Sequence, residues 1–183
     1  MPAVGPRESL DSGRARSERR SLGNEEPELR QRDSRPEEEP MSHAQTHLKL
    51  HQLFNERRFD EMDAYAGDQY AYIDHARGMT MHSLDEFKEW MREWTTAFSD
   101  ARVLGESFVE GENVSVAYFH GRGDNDGPMG SLSPTGRQMD VPFCETLRYD
   151  TQGRVIGGEI YYDQLSILTQ LGHLESSKLT GAS

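Results

Sequence analysis

The chain has 183 residues, a formal net charge of −12 and a single cysteine. This length accommodates one domain of ordinary size. The acidic balance argues against nucleic acid and anionic membranes as partners, and no apolar run is long enough to cross a membrane. One cysteine cannot form an intrachain disulfide or a cysteine-based zinc site. A reducing cytoplasmic location fits this composition, and so does an exported protein without disulfides.

The first forty residues differ in composition from the rest of the chain. They contain no Phe, Trp or Tyr, and their eight Arg and ten Asp or Glu nearly cancel in charge. Such a segment buries too little apolar surface to offset its ordering entropy, so we predict a disordered tail over residues 1–40. We expect Met41 to be the natural start, which N-terminal sequencing of the native protein would test. The folded domain is predicted over residues 41–174, followed by a flexible C-terminus over residues 175–183.

Two helices are predicted next, the first capped by Ser42 and the second over residues 59–66. His43, His47 and His51 recur at every fourth position of the first helix. This spacing permits a metal site, but no carboxylate or cysteine pattern in the sequence converges on the three histidines. We therefore interpret them as a solvated stripe and expect no metal.

A strand over residues 69–75 ends at Asp74-His75. His75 could share a proton with another group, because imidazole titrates near neutrality, or it could be a partly buried histidine with a backbone partner. A capping box of Ser83 and Glu86 then predicts a longer helix. Trp90 falls off the centre of its apolar stripe, and one or two of the stripe's residues are expected to line a pocket. The stripe comprises Leu84, Phe87, Met91, Trp94 and Phe98.

Four further strands are predicted. Residues 101–109 and 113–120 form a hairpin, residues 121–136 are rich in glycine and form a loop, and residues 137–149 and 155–162 are the last two strands. Tyr118 and His120 share one face of the second strand. Phe143 belongs to an apolar row on the third strand that Glu145 interrupts. Glu145 is either buried with polar partners or turned to water by a twist at Pro142.

Asp163 follows the last strand, after Tyr161 and Tyr162, and precedes a short helical run. Two interpretations fit this position. Asp163 could cap the helix that follows, or it could be a working carboxyl group in a cavity beside the tyrosines. Spacing alone favours the cap. In the last strand, alternation predicts that Val155, Gly157, Glu159, Tyr161 and Asp163 share one side.

The run YYDQLSILTQLG at residues 161–172 resembles the C-terminal signature of the SnoaL-like polyketide cyclases and the related ester cyclases. These belong to the nuclear transport factor two-like superfamily. The similarity extends over about residues 48–174. It includes Asp74-His75, Ala97-Phe98-Ser99-Asp100, Glu110-Gly111-Glu112 and Pro134-Thr135-Gly136-Arg137. The resemblance implies an α+β fold, with a cone-shaped, mostly antiparallel sheet packed with N-terminal helices around a cavity.

In SnoaL-like cyclases, the residue matching Asp163 is taken to act as acid and base in an intramolecular aldol closure that needs no cofactor. The resemblance implies this role for Asp163, and His75 and Glu145 are further catalytic candidates. A small apolar organic substrate and a homodimer formed through an exposed sheet face are also implied. The candidate substrate-binding residues are Tyr161, His120, Tyr118, Trp94, Phe143 and Met91.

Two segments depart from the family pattern. Gly123-Asp124-Asn125 stands where the family often has Gly-Thr-His, and Gly157-Gly158-Glu159 stands where it often has Glu-His-Trp. The two glycines of the second segment suggest either a wider cavity or a bulge. Three hypotheses remain: a cofactor-free cyclase-type enzyme, a protein that binds a hydrophobic metabolite without changing it, and a related isomerase or epoxide hydrolase.

Overall fold

A computed structural model describes residues 41–175 of the chain. The predictions for residues 1–40 and 176–183 lie outside this range. The helices are α1 (His43–Asn55), a 3-10 helix (Phe59–Tyr65), α2 (Leu84–Ala97) and α3 (Gln164–Gln170). The strands are β1 (Ala66–Asp74), β2 (Met79–Met81), β3 (Arg102–Glu110), β4 (Val114–Asp124), β5 (Gln138–Tyr149) and β6 (Val155–Tyr162).

The strands of the described residues form one sheet in the order β2-β1-β6-β5-β4-β3. The first and last long strands, β1 and β6, are parallel, and every other neighbouring pair is antiparallel. This architecture confirms the predicted α+β fold with a curved, mostly antiparallel sheet. Alternation gives the sheet an inner face, which includes the buried side chains of Ala117, Phe119 and Phe143.

The helices pack their apolar sides on this inner face. The predicted cap of α1 is present, because Ser42 Oγ accepts a hydrogen bond from Gln45 N and Gln45 Oε1 accepts one from Ser42 N. The predicted stripe of α2 is buried except for Leu84, which is partly buried, and the buried face is wider than predicted because Trp90 also belongs to the core. The central core residues of the two helices are Leu53, Phe87, Trp90, Met91 and Trp94.

The glycine-rich segment begins as strand rather than loop. β4 continues to Asp124, so residues 121–124 are paired with β5. A Cβ atom on Gly121 would lie 2.4 Å from Phe143 Cε2, so glycine at this position allows a close approach of the ring rather than a turn. The loop then begins at Asn125, whose side-chain amide donates to the Ala97 and Gly127 carbonyls at 3.0 and 2.8 Å.

Pro142 lies where β5 has a partner on one side only. It is paired with His120 of β4, whereas the β5–β6 pairing begins one residue later, at Phe143 and Tyr162. Proline lacks a backbone donor and is therefore expected at a bend, a bulge or an edge of a strand, and the structure shows the edge. Two residues before Pro142, the backbone of Asp140 is covered by the side chain of Gln170 from α3. This side chain accepts a hydrogen bond from Asp140 N and donates one to Asp140 O.

A bulge at Gly157 explains the glycine pair in the last strand. Gly157 has φ +127°, and the β5–β6 register shifts between Arg148 and Tyr149. A Cβ atom on Gly157 would lie 1.8 Å from Ala71 O, so only glycine lets β1 approach β6 this closely. The bulge also reverses the alternation. Val155 is buried while Tyr161 is exposed, and the prediction that they share one side is wrong.

Candidate active site

A mainly apolar cavity of about 80 Å³ lies between α1, α2 and the inner face of the sheet. Three of the predicted substrate-binding residues line it, namely Met91, Trp94 and Phe143. Other apolar lining residues include Leu50, Phe54, Met62, Phe87, Trp90, Phe119, Met139, Leu147 and Ile160. The polar side chains in the wall are therefore few, and they determine what chemistry the cavity allows.

Glu145 is the centre of a buried polar cluster in the cavity wall. Its Oε2 atom accepts hydrogen bonds from Nε2 of His47 at 3.2 Å and from Nε2 of His51 at 3.0 Å. Its Oε1 atom accepts one from the Tyr72 hydroxyl. Glu145, His47 and His51 are all buried and all line the cavity. Of the two interpretations of Glu145, the structure selects the buried one.

The predicted solvated histidine stripe is wrong. His47 and His51 are one turn apart on the face of α1 that packs on β3 and β4, and they are only 0% and 5% exposed. His43, one turn earlier, stacks on the Tyr149 ring with centroids 4.0 Å apart. A carboxylate does converge on the histidines, but it comes from β5, more than ninety residues further along the chain.

The electrostatics of the cluster favour an ionised Glu145. Burial raises the pKa of the Glu145 carboxyl group, but hydrogen bonds from His47 and His51 outweigh this effect and the pKa is lowered overall. Burial lowers the pKa of His47, although Glu145 opposes this shift. Burial also raises the pKa of Tyr72 well above its ordinary value, so the phenol stays protonated and donates to the carboxylate.

The second nitrogens of the two histidines differ in their partners. Nδ1 of His47 is 2.8 Å from Ser115 Oγ, which is 2.7 Å from the Tyr149 hydroxyl. Nδ1 of His51 is buried and has no hydrogen-bond partner among the described residues; the Glu106 carboxylate is 3.8 Å away. In the neutral tautomer whose Nε2 donates to Glu145, Nδ1 of His51 carries a lone pair with no hydrogen-bond donor beside it. His47 is therefore held through both ring nitrogens, whereas His51 is held through one.

Asp163 lies outside the cavity, which corrects the expectation of a cavity carboxyl group. It is exposed and caps α3, accepting hydrogen bonds from Leu165 N at 2.9 Å and Ser166 N at 3.2 Å. The Ser166 hydroxyl also donates to it, and these hydrogen bonds lower the pKa of Asp163 below its ordinary value. A lowered pKa is typical of a helix cap and unsuited to a base that works near neutral pH.

We predict that replacing Asp163 affects stability without affecting the cavity. Asp163→Ala removes the cap and should lower the melting temperature modestly, whereas Asp163→Asn should not, because asparagine caps helices equally well. Thermal unfolding followed by circular dichroism would measure the difference. Loss of cavity chemistry in the folded Asp163→Asn variant would contradict this prediction and restore a catalytic role for Asp163.

His75 and Tyr161 also lie away from the cavity, on the opposite face of the sheet. Their rings stack with centroids 4.3 Å apart, and both side chains contact the Glu159 carboxylate, at 2.9 Å from His75 Nε2 and 2.7 Å from the Tyr161 hydroxyl. Hydrogen bonds to this carboxylate raise the pKa of Tyr161. The structure thus gives the pair a surface ion-pair and stacking role, not a position against a cavity ligand.

Tyr118 and His120 are on the same outer face. Tyr118 is 54% exposed, and His120 Nδ1 is 2.7 Å from the Asp140 carboxylate at the surface. The residues that alternate with them, Phe119 and Gly121, are the ones that line the cavity. The prediction that Tyr118 and His120 contact a cavity ligand is therefore wrong, because the covered face of β4 is the other one.

A second buried carboxylate stabilises the wall of the cavity. Asp74 is fully buried and accepts hydrogen bonds from Trp90 Nε1 at 3.0 Å, the Tyr162 hydroxyl at 2.9 Å and Arg77 N at 3.0 Å. Burial and the negative charge of Asp74 both raise the pKa of Tyr162, so this phenol stays protonated. Asp74 does not line the cavity, but it fixes the indole of Trp90, which does.

This fold and this cavity define a class: a nuclear transport factor two-like α+β fold whose apolar cavity has a buried carboxylate and two histidines in its wall. The family model described as SnoaL-like polyketide cyclase matches residues 44–171. The chain belongs to the SnoaL-like polyketide cyclase family. Membership supports a cyclase- or isomerase-type function.

Solved structures of similar fold include three bacterial proteins. A protein assigned as a SnoaL-like polyketide cyclase from Jannaschia sp. CCS1 has a TM-score of 0.66 and 18% identity, covering 73% of this chain and 93% of its own. IdmH from Streptomyces antibioticus, assigned as a polyketide cyclase, has a TM-score of 0.64 and 16% identity. The match covers 72% of this chain and 99% of IdmH. AclR from Streptomyces galilaeus, assigned as a hydroxylase, has a TM-score of 0.64 and 16% identity. The match covers 73% of this chain and 97% of AclR.

At these identities the likeness shows a shared fold. Among curated proteins, none matches the chain. Within residues 41–175, no helix has both the length and the apolar character needed to cross a membrane.

Proposed function

We propose that the chain is a cyclase-type enzyme that uses acid/base chemistry, without a cofactor, on a small apolar carbonyl compound. One observation carries this proposal. His51 is oriented by the buried Glu145 carboxylate, and its Nδ1 atom has no partner in the described part of the chain, in the wall of an apolar cavity. A carboxylate that fixes one nitrogen of a histidine leaves the other free to take a proton.

The reaction we propose is an intramolecular aldol-type cyclisation. His51 Nδ1 removes a proton from a carbon next to a carbonyl group, and Glu145 stabilises the imidazolium ion that forms. The carbanion attacks a second carbonyl carbon of the same molecule, which forms the new carbon–carbon bond. The resulting alkoxide then takes the proton back from His51, so no proton is gained or lost overall.

Tyr70 is the proposed donor to the enolate oxygen. It lines the cavity, and burial raises the pKa of its phenol well above the ordinary value, so the group remains protonated. A neutral donor in an apolar wall stabilises a developing oxyanion more strongly than it would in water. Tyr72 is unsuited to this task, because its hydroxyl is already bonded to Glu145.

The size of the cavity supports a small substrate. Its volume of about 80 Å³ is well below that of usual ligand sites, which enclose roughly 300–1,000 Å³. A small apolar cavity also brings the two reacting ends of a flexible molecule together. We therefore propose a compact dicarbonyl compound rather than a polycyclic one.

The test compares His51→Phe with His120→Phe. Both replace an imidazole with an apolar ring, but only the first removes the proposed base, since His120 is exposed on the outer face. Cyclisation of a panel of small diketones, followed by NMR, should fall about 10²- to 10⁴-fold in His51→Phe and stay unchanged in His120→Phe. A folded His51→Phe variant that retains at least half of the wild-type rate would contradict the proposal.

A binding protein is the second candidate, and the almost wholly apolar lining of the cavity favours it. In that case a hydrophobic metabolite would be held and released unchanged. NMR of the ligand released after incubation would show an unchanged molecule, and His51→Phe would leave the affinity largely unaltered. A related isomerase would instead return the proton to a different carbon, which NMR of the product would reveal.

A cytoplasmic location and the absence of nucleic-acid binding remain predictions.

A homodimer formed through the outer face of the sheet is a further part of the proposal. Tyr118, Cys144 and Tyr161 lie directly opposite one another on β4, β5 and β6, and the two tyrosines are 54% and 45% exposed. Such a row of large side chains suits a second sheet. We expect light scattering after size exclusion to give twice the chain mass, and Tyr118→Lys to reduce it to one chain. A monomeric wild type would contradict this expectation.

A further inference from the structure

We infer that His47, His51 and Glu145 also form a binding site for a divalent transition-metal ion. One ligand atom from each residue lies within 4.8 Å of the other two, and all three residues are buried. The inference goes beyond the proposed acid/base chemistry and does not require it. Metal binding would engage the carboxylate and imidazole groups that the acid/base reaction uses, so the two states would exclude each other.

The backbone already brings the three ligands together. The histidines are four residues apart on α1, which places both imidazoles on one face of the helix. The two Nε2 atoms are 3.2 and 3.0 Å from Glu145 Oε2. Ligand atoms bound tetrahedrally at about 2.1 Å from an ion lie roughly 3.4 Å apart. The cluster therefore needs only small side-chain shifts to accept an ion.

Further contacts orient two of the three ligands. Ser115 Oγ lies 2.8 Å from Nδ1 of His47, and the Tyr72 hydroxyl donates to the oxygen of Glu145 that faces away from the histidines. Metal-binding histidines and carboxylates usually have such partners on their remaining atoms, which fix the ring or carboxylate orientation. The third ligand, His51, contacts the ring of Phe119, with the two ring centroids 4.7 Å apart.

The charge of the cluster favours a cation. Among residues 41–175, the hydrogen-bond and ion-pair partners of Glu145 are His47, His51 and Tyr72, so no lysine or arginine neutralises it. A buried carboxylate without a lysine or arginine partner is costly, and a divalent ion would compensate its charge.

The donor set selects the class of ion. Two imidazoles and one carboxylate suit zinc, cobalt, nickel or ferrous ions, whereas magnesium and calcium prefer oxygen ligands. Three protein ligands leave at least one coordination position open. Since all three residues line the cavity, that position would face the space where we place the substrate.

The test measures metal binding directly and uses no substrate, so its failure is distinguishable from failure of the proposed reaction. The full 183-residue chain is freed of metal with EDTA, dialysed, and titrated with zinc chloride by calorimetry, with magnesium chloride as a comparison. We expect one zinc ion per chain and no magnesium binding. The cobalt form should show visible absorption bands of a site with nitrogen ligands.

Three variants decide whether the ion binds at this cluster. Glu145→Gln and His47→Gln should each weaken zinc binding at least tenfold, and His43→Ala, on the same helix but outside the cluster, should not. Glu145→Gln nearly preserves the shape of the side chain, and circular dichroism would check that it folds. Absence of zinc binding to the wild type, or equal zinc affinity in the wild type and the folded Glu145→Gln variant, would overturn the inference.

Discussion

Glu145→Ala is expected to lower the free energy of unfolding by about 3–5 kcal/mol, as measured by urea unfolding. The carboxylate is the shared acceptor for His47, His51 and Tyr72, and all four side chains are buried. Removing it leaves three buried donors without a partner, and each such group costs stability. It also leaves His51 without the group that orients it, so cavity chemistry should be lost as well.

The matched control is Glu112→Ala, in the exposed turn between β3 and β4. This substitution removes the same group where water surrounds it, and we expect a change within about 0.5 kcal/mol. If Glu145→Ala proved as mild as Glu112→Ala, the buried hydrogen-bond cluster described above would be disproved.

Gly157→Ala is expected to destabilise the domain by about 3 kcal/mol or more. Two effects combine at this position. Its φ of +127° is one that other residues rarely adopt, and a Cβ atom would come within 1.8 Å of the Ala71 carbonyl oxygen. Because the obstacle is backbone rather than a flexible side chain, β1 would have to move away from β6. Thermal unfolding and the yield of soluble protein would both measure the effect.

Gly153→Ala separates the two effects. Gly153 also has a positive φ, +75°, but an added Cβ atom would meet nothing within 4 Å. We expect a cost of about 1 kcal/mol there, from backbone strain alone. Equal melting temperatures for the two variants would mean that β1 and β6 are not as close as the structure shows.

Much of the fold could be predicted from local signals. The Ser42 cap, the amphipathic α2 and the hairpin between β3 and β4 follow from patterns within a few residues of one another. The row of inward residues on β5, with Glu145 among them, follows from simple alternation. Cavity residues such as Trp94 and Phe143 are identifiable because large apolar side chains at core spacing belong inside.

The remaining residues of the site could not be predicted, because the sequence does not show which face of a strand or helix is covered by other elements. Alternation on β4 correctly groups Tyr118 with His120, but it does not show that the helices cover the opposite face, where Phe119 lies. The same limit applies to α1. Spacing groups His47 with His51, yet whether that face meets water or Glu145 depends on contacts between distant parts of the chain.

Asp163 shows how a correct local interpretation can compete with a family expectation. Its spacing before α3 favoured a helix cap, and the structure shows that cap. The role as acid and base of an aldol closure rests on the resemblance, which carries no information about the side chain's surroundings. The HxxxH spacing of His47 and His51 was the stronger chemical signal in the sequence.

The pairing of β1 with β6 sets the order in which the domain can be completed during synthesis. β1 leaves the ribosome well before its partner, because Ala71 pairs with Gly157, which is made more than eighty residues later. Until then Tyr72 has no fixed position from which to reach Glu145, and the apolar inner face of β4 and β5 lacks its full cover. Nascent chains that end before residue 155 should therefore depend on chaperones, because contacts between distant segments form late and leave apolar surface exposed.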